Sequence, residues 1–342
     1  MNQKILLTVD YHDENCVIRR LVCQTGDQQV VTVATTPENL ERAVAQAEAA
    51  AGPHGRVIWI QESTTGWARV QKLLGDRVDF RLANVLQMPR PPKAHRRKTD
   101  KIDTSRIQRE HLNGELPLAH QPPPQWRQLR RLVAYRENLV ARQTAIRNWI
   151  NRYLAHETWV DRNNLWSVKG RKRLKAVVAT LPATDVLVIE AKLAELDQLQ
   201  TTLKTVLRAL LEAYRQSPDA QRLDAVRGIG PVTAVSIVAR IGPITRFGNA
   251  DQLIAFAGLA PGLQQSDQTR RDGRIGGGGT DAHLRHYLIE ATIWARHITR
   301  YRTTYERTVQ RRGAKVGRLV VARLLLRSIY KVLRDGVTFR AG

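Results

Sequence analysis

Ile5-Leu-Leu-Thr-Val-Asp10-Tyr-His-Asp-Glu-Asn-Cys16-Val-Ile-Arg-Arg-Leu-Val22 decides how the chain begins. Two apolar, β-branched runs, Ile5–Val9 and Val17–Val22, are separated by polar turn-formers, and an acid closes the first. Val30–Ala34 repeats the pattern, so three antiparallel strands are expected. Pro37 to Ala51 reads as a helix, with Thr36 as N-cap, Pro37 at its first position and Leu40, Val44 and Ala47 on one face. A short buried strand, Val57–Gln61, follows. A helix through Val70–Leu74, a strand at Val78–Ala83 and a helix from about Thr99 to Leu112 complete the region.

The order βββαβαβ followed by a helix is that of an RNase H-like fold. In such a sheet the fourth strand lies beside the first, so Asp10 and Glu62, at the ends of those strands, would converge. Asp100 and Asp103 stand at i and i+3 in Lys98-Thr-Asp-Lys-Ile-Asp, on one face of the last helix. Four carboxylates without Cys are a hard oxygen set of the kind Mg²⁺ prefers, suited to phosphoryl transfer. Taken singly, an Asp after a strand or in a first helical turn more often caps or meets a dipole. Four at the ends of one topology favour a metal site.

The 342 residues suffice for two or three compact units, and 55 Lys+Arg against 31 Asp+Glu give a formal charge of +24. Nucleic acid suits that excess better than a membrane, because no apolar run reaches the ~18–20 residues a spanning helix needs. An acidic residue comes too early after Met1 for a signal peptide, and Cys16 and Cys23 are too few for a disulfide framework. A cytoplasmic, reducing setting with no structural metal is expected.

Met88-Pro-Arg-Pro-Pro-Lys-Ala-His-Arg-Arg-Lys is a basic loop, and His120-Gln-Pro-Pro-Pro is a domain boundary. Beyond it Leu129, Leu132, Arg136, Leu139, Gln143, Ile146, Ile150 and Tyr153 step by 3 and 4. Ile189, Leu193, Leu196, Gln200, Leu203, Leu207, Leu210 and Tyr214 do the same. These two long helices suit a coiled coil, folded back as a hairpin or paired with another subunit, and equally a plain helical spacer. Three domains are expected, at 1–122, 123–217 and 218–342.

In the last of them Val226-Arg-Gly-Ile-Gly-Pro suits a helix-hairpin-helix, with Gly228 and Gly230 in a tight turn and the next helix N-terminus towards a phosphate. A glycine-capped helix followed by a Pro-started one fits the same residues. Ser266 lies in a loop before Arg270, Arg271, Arg274 and Gly276 to Gly279, and by itself is most simply a loop serine. A helix of about Lys315 to Leu333 turns Leu319, Leu326 and Ile329 to a core amid Arg318, Arg323, Arg327 and Lys331.

Together these motifs resemble the insertion-sequence transposases of the one-ten and eleven-eleven group, bridge-RNA-guided DNA recombinases. The likeness runs over nearly the whole chain: Val9-Asp10, Gln61-Glu62-Ser-Thr-Thr-Gly, Lys98-Thr-Asp100-Lys-Ile-Asp103, Gly228-Ile-Gly-Pro and Ala257-Gly-Leu-Ala-Pro261. It implies an N-terminal RuvC-like domain whose Asp10, Glu62, Asp100 and Asp103 hold Mg²⁺, a coiled coil, and a mostly helical transposase domain in which Ser266 is the nucleophile. It also implies donor and target DNA, a noncoding guide RNA, a covalent 5′-phosphoserine and a tetramer, a dimer of dimers, at the nucleoid. Lys98, Gly228, Gly230, Arg270, Arg271 and Arg274 would contact nucleic acid. Three features depart from that pattern. Asp13 stands where a Lys is usual, Thr64-Thr65 adds a residue before Gly66, and Gly277-Gly278 replaces a Ser/Thr-Lys pair. The alternative is a metal-dependent Holliday-junction-type endonuclease with water as nucleophile.

Overall fold

The structure, a computed structural model, describes residues 3–88, 100–158, 161, 163–266, 269–276 and 279–340, except for the side chains of 100–102, 261–266 and 269–275. The chain divides into two compact units, Met1–Gln121 and Pro122–Gly342. No described helix is long and apolar enough to cross a membrane.

In the first unit β1 (Lys4–Tyr11), β2 (Asn15–Val22) and β3 (Gln28–Ala34) form an antiparallel meander. Helix α1 (Pro37–Ala51) then carries the chain across to β4 (Arg56–Glu62), which pairs with β1 in parallel. Helix α2 (Trp67–Leu74) leads to β5 (Asp79–Ala83), parallel to β4, and α3 (Asp100–Leu112) follows. The resulting order β3-β2-β1-β4-β5 agrees with an RNase H-like sheet. β1 is apolar along nearly its whole length because, as the central strand, it has both faces covered. Ile5, Leu7, Val9 and Tyr11 pack with Leu40, Val44 and Ala47 of α1 on one face; Leu6 packs with Ile58, Ile60 and Ile107 on the other. Thr36 caps α1 as its sequence position suggests, its side chain accepting from Asn39 N.

The second unit has one continuous apolar core. Helices α4 (Pro124–Glu157) and α6 (Ala183–Arg215) pack side by side, with α5 (Val168–Val178) between them in sequence. Arg142 meets Glu195 and Lys192 lies over Trp149, so the two run antiparallel as a hairpin within one chain. Leu139, Gln143, Ile146 and Ile150 of the sequence repeat are buried in α4, as are Ile189, Leu193, Leu196 and Leu210 in α6. Elsewhere the buried position shifts by one, to Val133, Leu199 and Val206.

Helices α7 (Pro218–Asp224) and α8 (Pro231–Ile241) follow, the latter almost entirely buried. Next come α9 (Ala250–Phe256), a two-stranded ribbon of β6 (Pro261–Ser266) and β7 (Thr269–Ile275), and α10 (Ala282–Ala295). Helices α11 (Thr299–Arg312) and α12 (Ala314–Asp335) close the unit. The ribbon corrects the expectation of a loop around Ser266. Its polar run can form a ladder, and Pro261, which cannot donate, falls at a register shift.

Candidate functional site

In the parallel β1–β4 pair Val9 faces Gln61, which sets Asp10 and Glu62 side by side at the ends of the two strands. Alternation fixes their face: Val9 belongs to the core under α1, whereas Leu6, Ile58 and Ile60 belong to the core under α3, so Asp10 and Glu62 turn to the α3 side. Helix α3 packs on β1 and β2 through Thr104, Ile107 and Gln108. Asp103 precedes Ile107 by one helical turn and is half-buried beside that stripe. The helix begins at Asp100, one turn before Thr104, although the Asp100 side chain and all of Lys98 lie outside the described residues. The topology therefore puts Asp10 and Glu62 on the sheet face on which α3, the helix that begins at Asp100, packs. Among the described residues, however, no three His, Cys, Asp or Glu side chains form a group able to hold a metal ion. The full oxygen set expected from the sequence is not assembled by Asp10, Glu62 and Asp103 alone.

Asp10 is only 8% exposed. A carboxylate so shielded needs compensation, and His12 Nε2 lies 3.4 Å from its Oδ1. On the same face, one strand across, Arg19 pairs with Thr8 in the β1–β2 register and donates Nε to Thr104 Oγ1 at 3.4 Å, tying α3 to the sheet. Among the described residues the buried Thr8 hydroxyl, two residues from Asp10 on the acid face, meets no hydrogen-bond partner.

Asp13 does not join the acids. It is exposed and accepts from Arg69 Nη2 at 2.6 Å, while Arg69 Nε donates to the Tyr11 hydroxyl at 2.7 Å. The Tyr11 ring explains Gly66: with φ +87°, a Cβ there would lie 2.6 Å from Tyr11 Cε1. The extra residue at Thr64-Thr65 is taken up by a turn in which Thr64 N donates to Glu62 O.

In the second unit the backbone puts Ser266 at the end of β6, paired with Thr269, and puts Arg270, Arg271 and Arg274 on the adjoining strand. The side chains of these four lie outside the described residues, as do Gly277 and Gly278. Two arginines that sequence reasoning missed or left open hold the base of this ribbon. Arg285 approaches Gly258 and Gly276 so closely that a Cβ would lie 2.2 and 2.9 Å from its Nη1. Arg323, read from sequence as a cation around a core helix, donates Nε to Leu259 O at 2.6 Å. The signal the sequence offered was the two glycines themselves, which here take φ of +66° and +80°.

Gly228 and Gly230 differ in kind. Gly228, φ +97°, lies against α10, where a Cβ would stand 2.6 Å from Ala291 O, whereas Gly230 has ordinary φ and open space around it. Gly230 begins α8 with Pro231 at the first helical position.

The model of the transposase family IS116/IS110/IS902 matches residues 220–306, and a DEDD-type transposase model of IS110 elements matches residues 10–157. Between them they cover well over half the chain. The chain belongs to this transposase family. A probable family 20 transposase of Pseudomonas aeruginosa is 30% identical over 190 residues, 51% of this chain and 55% of that one. The transposase for insertion sequence element IS1111A of Coxiella burnetii is 24% identical over 172 residues, 48% of this chain and 46% of that one. The chain thus spans about half the length of the curated relatives it matches. The two matched segments of this IS110-type chain include Asp10, Glu62, Asp100 and Asp103 in one, and Gly228, Gly230 and Ser266 in the other.

Proposed function

We propose that this IS110-type chain is a DNA recombinase that cuts and exchanges strands, acting on the donor and target DNA of an insertion sequence. The observation that carries the reading is the placement of Asp10 beside Glu62 on the sheet face that α3, with Asp100 and Asp103, covers. An all-carboxylate donor set fits Mg²⁺, and Asp10, Glu62, Asp100 and Asp103 would hold it. Such an ion supplies electrostatic relief to a phosphate gaining negative charge. The protein's further part is to bring the scissile phosphate to Ser266, with Arg270, Arg271 and Arg274 on the adjoining strand.

Ser266 Oγ attacks phosphorus; the Oγ–P bond forms, the P–O3′ bond breaks, the 3′ oxygen takes a proton and the serine loses its own. The 5′ end is then held as a phosphoserine. Attack by a 3′ hydroxyl of the partner strand reverses the chemistry, joining the strands and releasing the serine. A noncoding guide RNA choosing the sites, and a tetramer bringing four such chains together, complete the proposal; a charge of +24 supports the first.

Denaturing electrophoresis with end-labelled donor DNA tests it. The native chain should yield a protease-sensitive species joined to a 5′ end, absent in Ser266→Ala and in Asp103→Asn. The junction-nuclease alternative draws on the acids lying within the first unit by themselves. It wins if Ser266→Ala still cuts and leaves free 5′ phosphates.

A further inference from the structure

The first turn of α11, the last two turns of α12 and the following segment 336–340 enclose a cleft of about 870 Å³. Four cations line it, Arg300, Arg327, Lys331 and Arg340, against one carboxylate, Asp335. Arg300 is fixed in place: its guanidinium lies 5.5 Å from the Tyr301 and Phe339 rings and donates to Arg340 O at 2.9 Å. Phe339 and Val332 are buried and make an apolar floor, while Val337 stays 46% exposed on its wall. Arg327 bonds Asp251 at 2.8 Å, but both side chains are largely exposed, and such a pair contributes little and exchanges readily. Among the described residues no ion pair engages Arg300, Lys331 or Arg340, and Asp335 forms none with them. Apart from Arg300, these residues lie beyond the segment 220–306 that the family model matches.

We propose that this cleft binds the phosphodiester backbone of a nucleic-acid strand. Clustered cations with few carboxylate partners attract a polyanion. Its volume is near the upper end of the ~300–1,000 Å³ typical of ligand pockets, room for more than a lone phosphate. The apolar floor and Val337 offer contact to sugar or base between phosphates. The residues that line it are other than those to which the chemistry is assigned, so Ser266→Ala should leave it intact.

The test measures fluorescence anisotropy of the full chain against salt, with one sequence offered as single-stranded DNA, single-stranded RNA and duplex DNA. Lys331→Ala combined with Arg340→Ala should flatten the log–log salt slope by about 1.4 on a single strand or about 1.8 on duplex, at roughly 0.7 and 0.9 per phosphate contact. The probe that loses most identifies the source of the backbone. Asp335→Asn, which needs no change in packing, should tighten binding by about twofold through loss of one opposing charge. Unchanged slope on all three probes, or no tightening with Asp335→Asn, overturns the proposal. A labelled poly-glutamate peptide is titrated beside them, and a loss confined to it also overturns the proposal, since the occupant would then be an acidic protein.

Discussion

Gly228→Ala should unfold the second unit at a markedly lower temperature, while Gly230→Ala should hardly move it. At Gly228 φ is +97°, outside the conformations an L-residue adopts readily, which costs about 1–3 kcal/mol. The new Cβ would also lie 2.6 Å from the carbonyl oxygen of Ala291 and 3.1 Å from Trp294 Cβ. Ala291 is a buried residue within α10, so its carbonyl cannot retreat without moving the helix, and overpacking adds about 1–3 kcal/mol. A total near 3 kcal/mol lowers the melting temperature by roughly 6–12 °C at the ~2–4 °C per kcal/mol usual for a unit of this size. Gly230 has ordinary φ and nothing within 4 Å, and losing a glycine N-cap to alanine costs only about 0.5–1 kcal/mol. Calorimetric scans of both variants decide the matter, with DNA affinity measured on the same samples. If the Gly-Ile-Gly turn meets a phosphate, Gly230→Ala weakens DNA binding without unfolding the unit. Equal melting temperatures for the two variants would refute the packing argument for Gly228.

Asp10→Asn, Glu62→Gln, Asp100→Asn and Asp103→Asn should each slow Mg²⁺-dependent recombination by at least about 100-fold; near-native rates in any two would remove the metal assignment. Protein freed of RNA by nuclease digestion should lose recombination and regain it when its noncoding element RNA is restored; full activity without RNA would reject guidance. Asp79, held below its ordinary value by a hydrogen bond from Arg81 and by the Arg81 and Arg56 charges against the opposing effect of burial, stabilises the β4–β5 pair. A depressed carboxylate contributes above its unfolded value and loses that contribution as pH falls through the folded one. Asp79→Asn should therefore speed hydrogen exchange in β5 at about neutral pH, by up to about 1 kcal/mol of protection, and match the native chain in acid; a difference that persists in acid would count against it.

The first unit was legible because its signals are local and agree with one another. Apolar runs of strand length, a Thr-Pro helix start and acids at strand ends each need only a few residues of context, and β1, α1 and β4 fall where those residues place them. The pairing of Asp10 with Glu62 follows from strand order once the order is right. What sequence could not show is how α3 sits over that face, since its seat combines Ile107 in the apolar layer with contacts as distant in sequence as Arg19 to Thr104, 85 positions apart. The same holds for Asp13, whose partner Arg69 lies 56 residues away on another element. In the second unit the heptad pattern foresaw two long helices, but not the one-position drift at Val133, Leu199 and Val206, because the shared core of α7 to α12 pulls the packing off a strict repeat.

Charge is where a sequence sum misleads most. Of the arginines that make up the +24, several serve the fold: Arg130 donates to the carbonyls of Ala239 and Arg240, and Arg246 donates to that of Ile241, so both complete the C-terminal end of α8. Arg246 also lies 4.2 and 4.4 Å from the Phe247 and Phe256 rings, and burial, with Arg130 nearby, pushes its pKa down to about 10. Arg240 is taken up by Glu137, which also receives His283 and Tyr287. Arginine suits such work because its planar fork satisfies several carbonyls or rings while its charge is weakly hydrated. These residues add to the net charge without offering a phosphate anything. The cations that can meet nucleic acid are to be sought among those without such work, as in the cleft formed by α11 and α12. Neutralising Arg130 or Arg246 should therefore lower the stability of the second unit while leaving the salt slope of DNA binding unchanged, the reverse of what neutralising Lys331 and Arg340 should do.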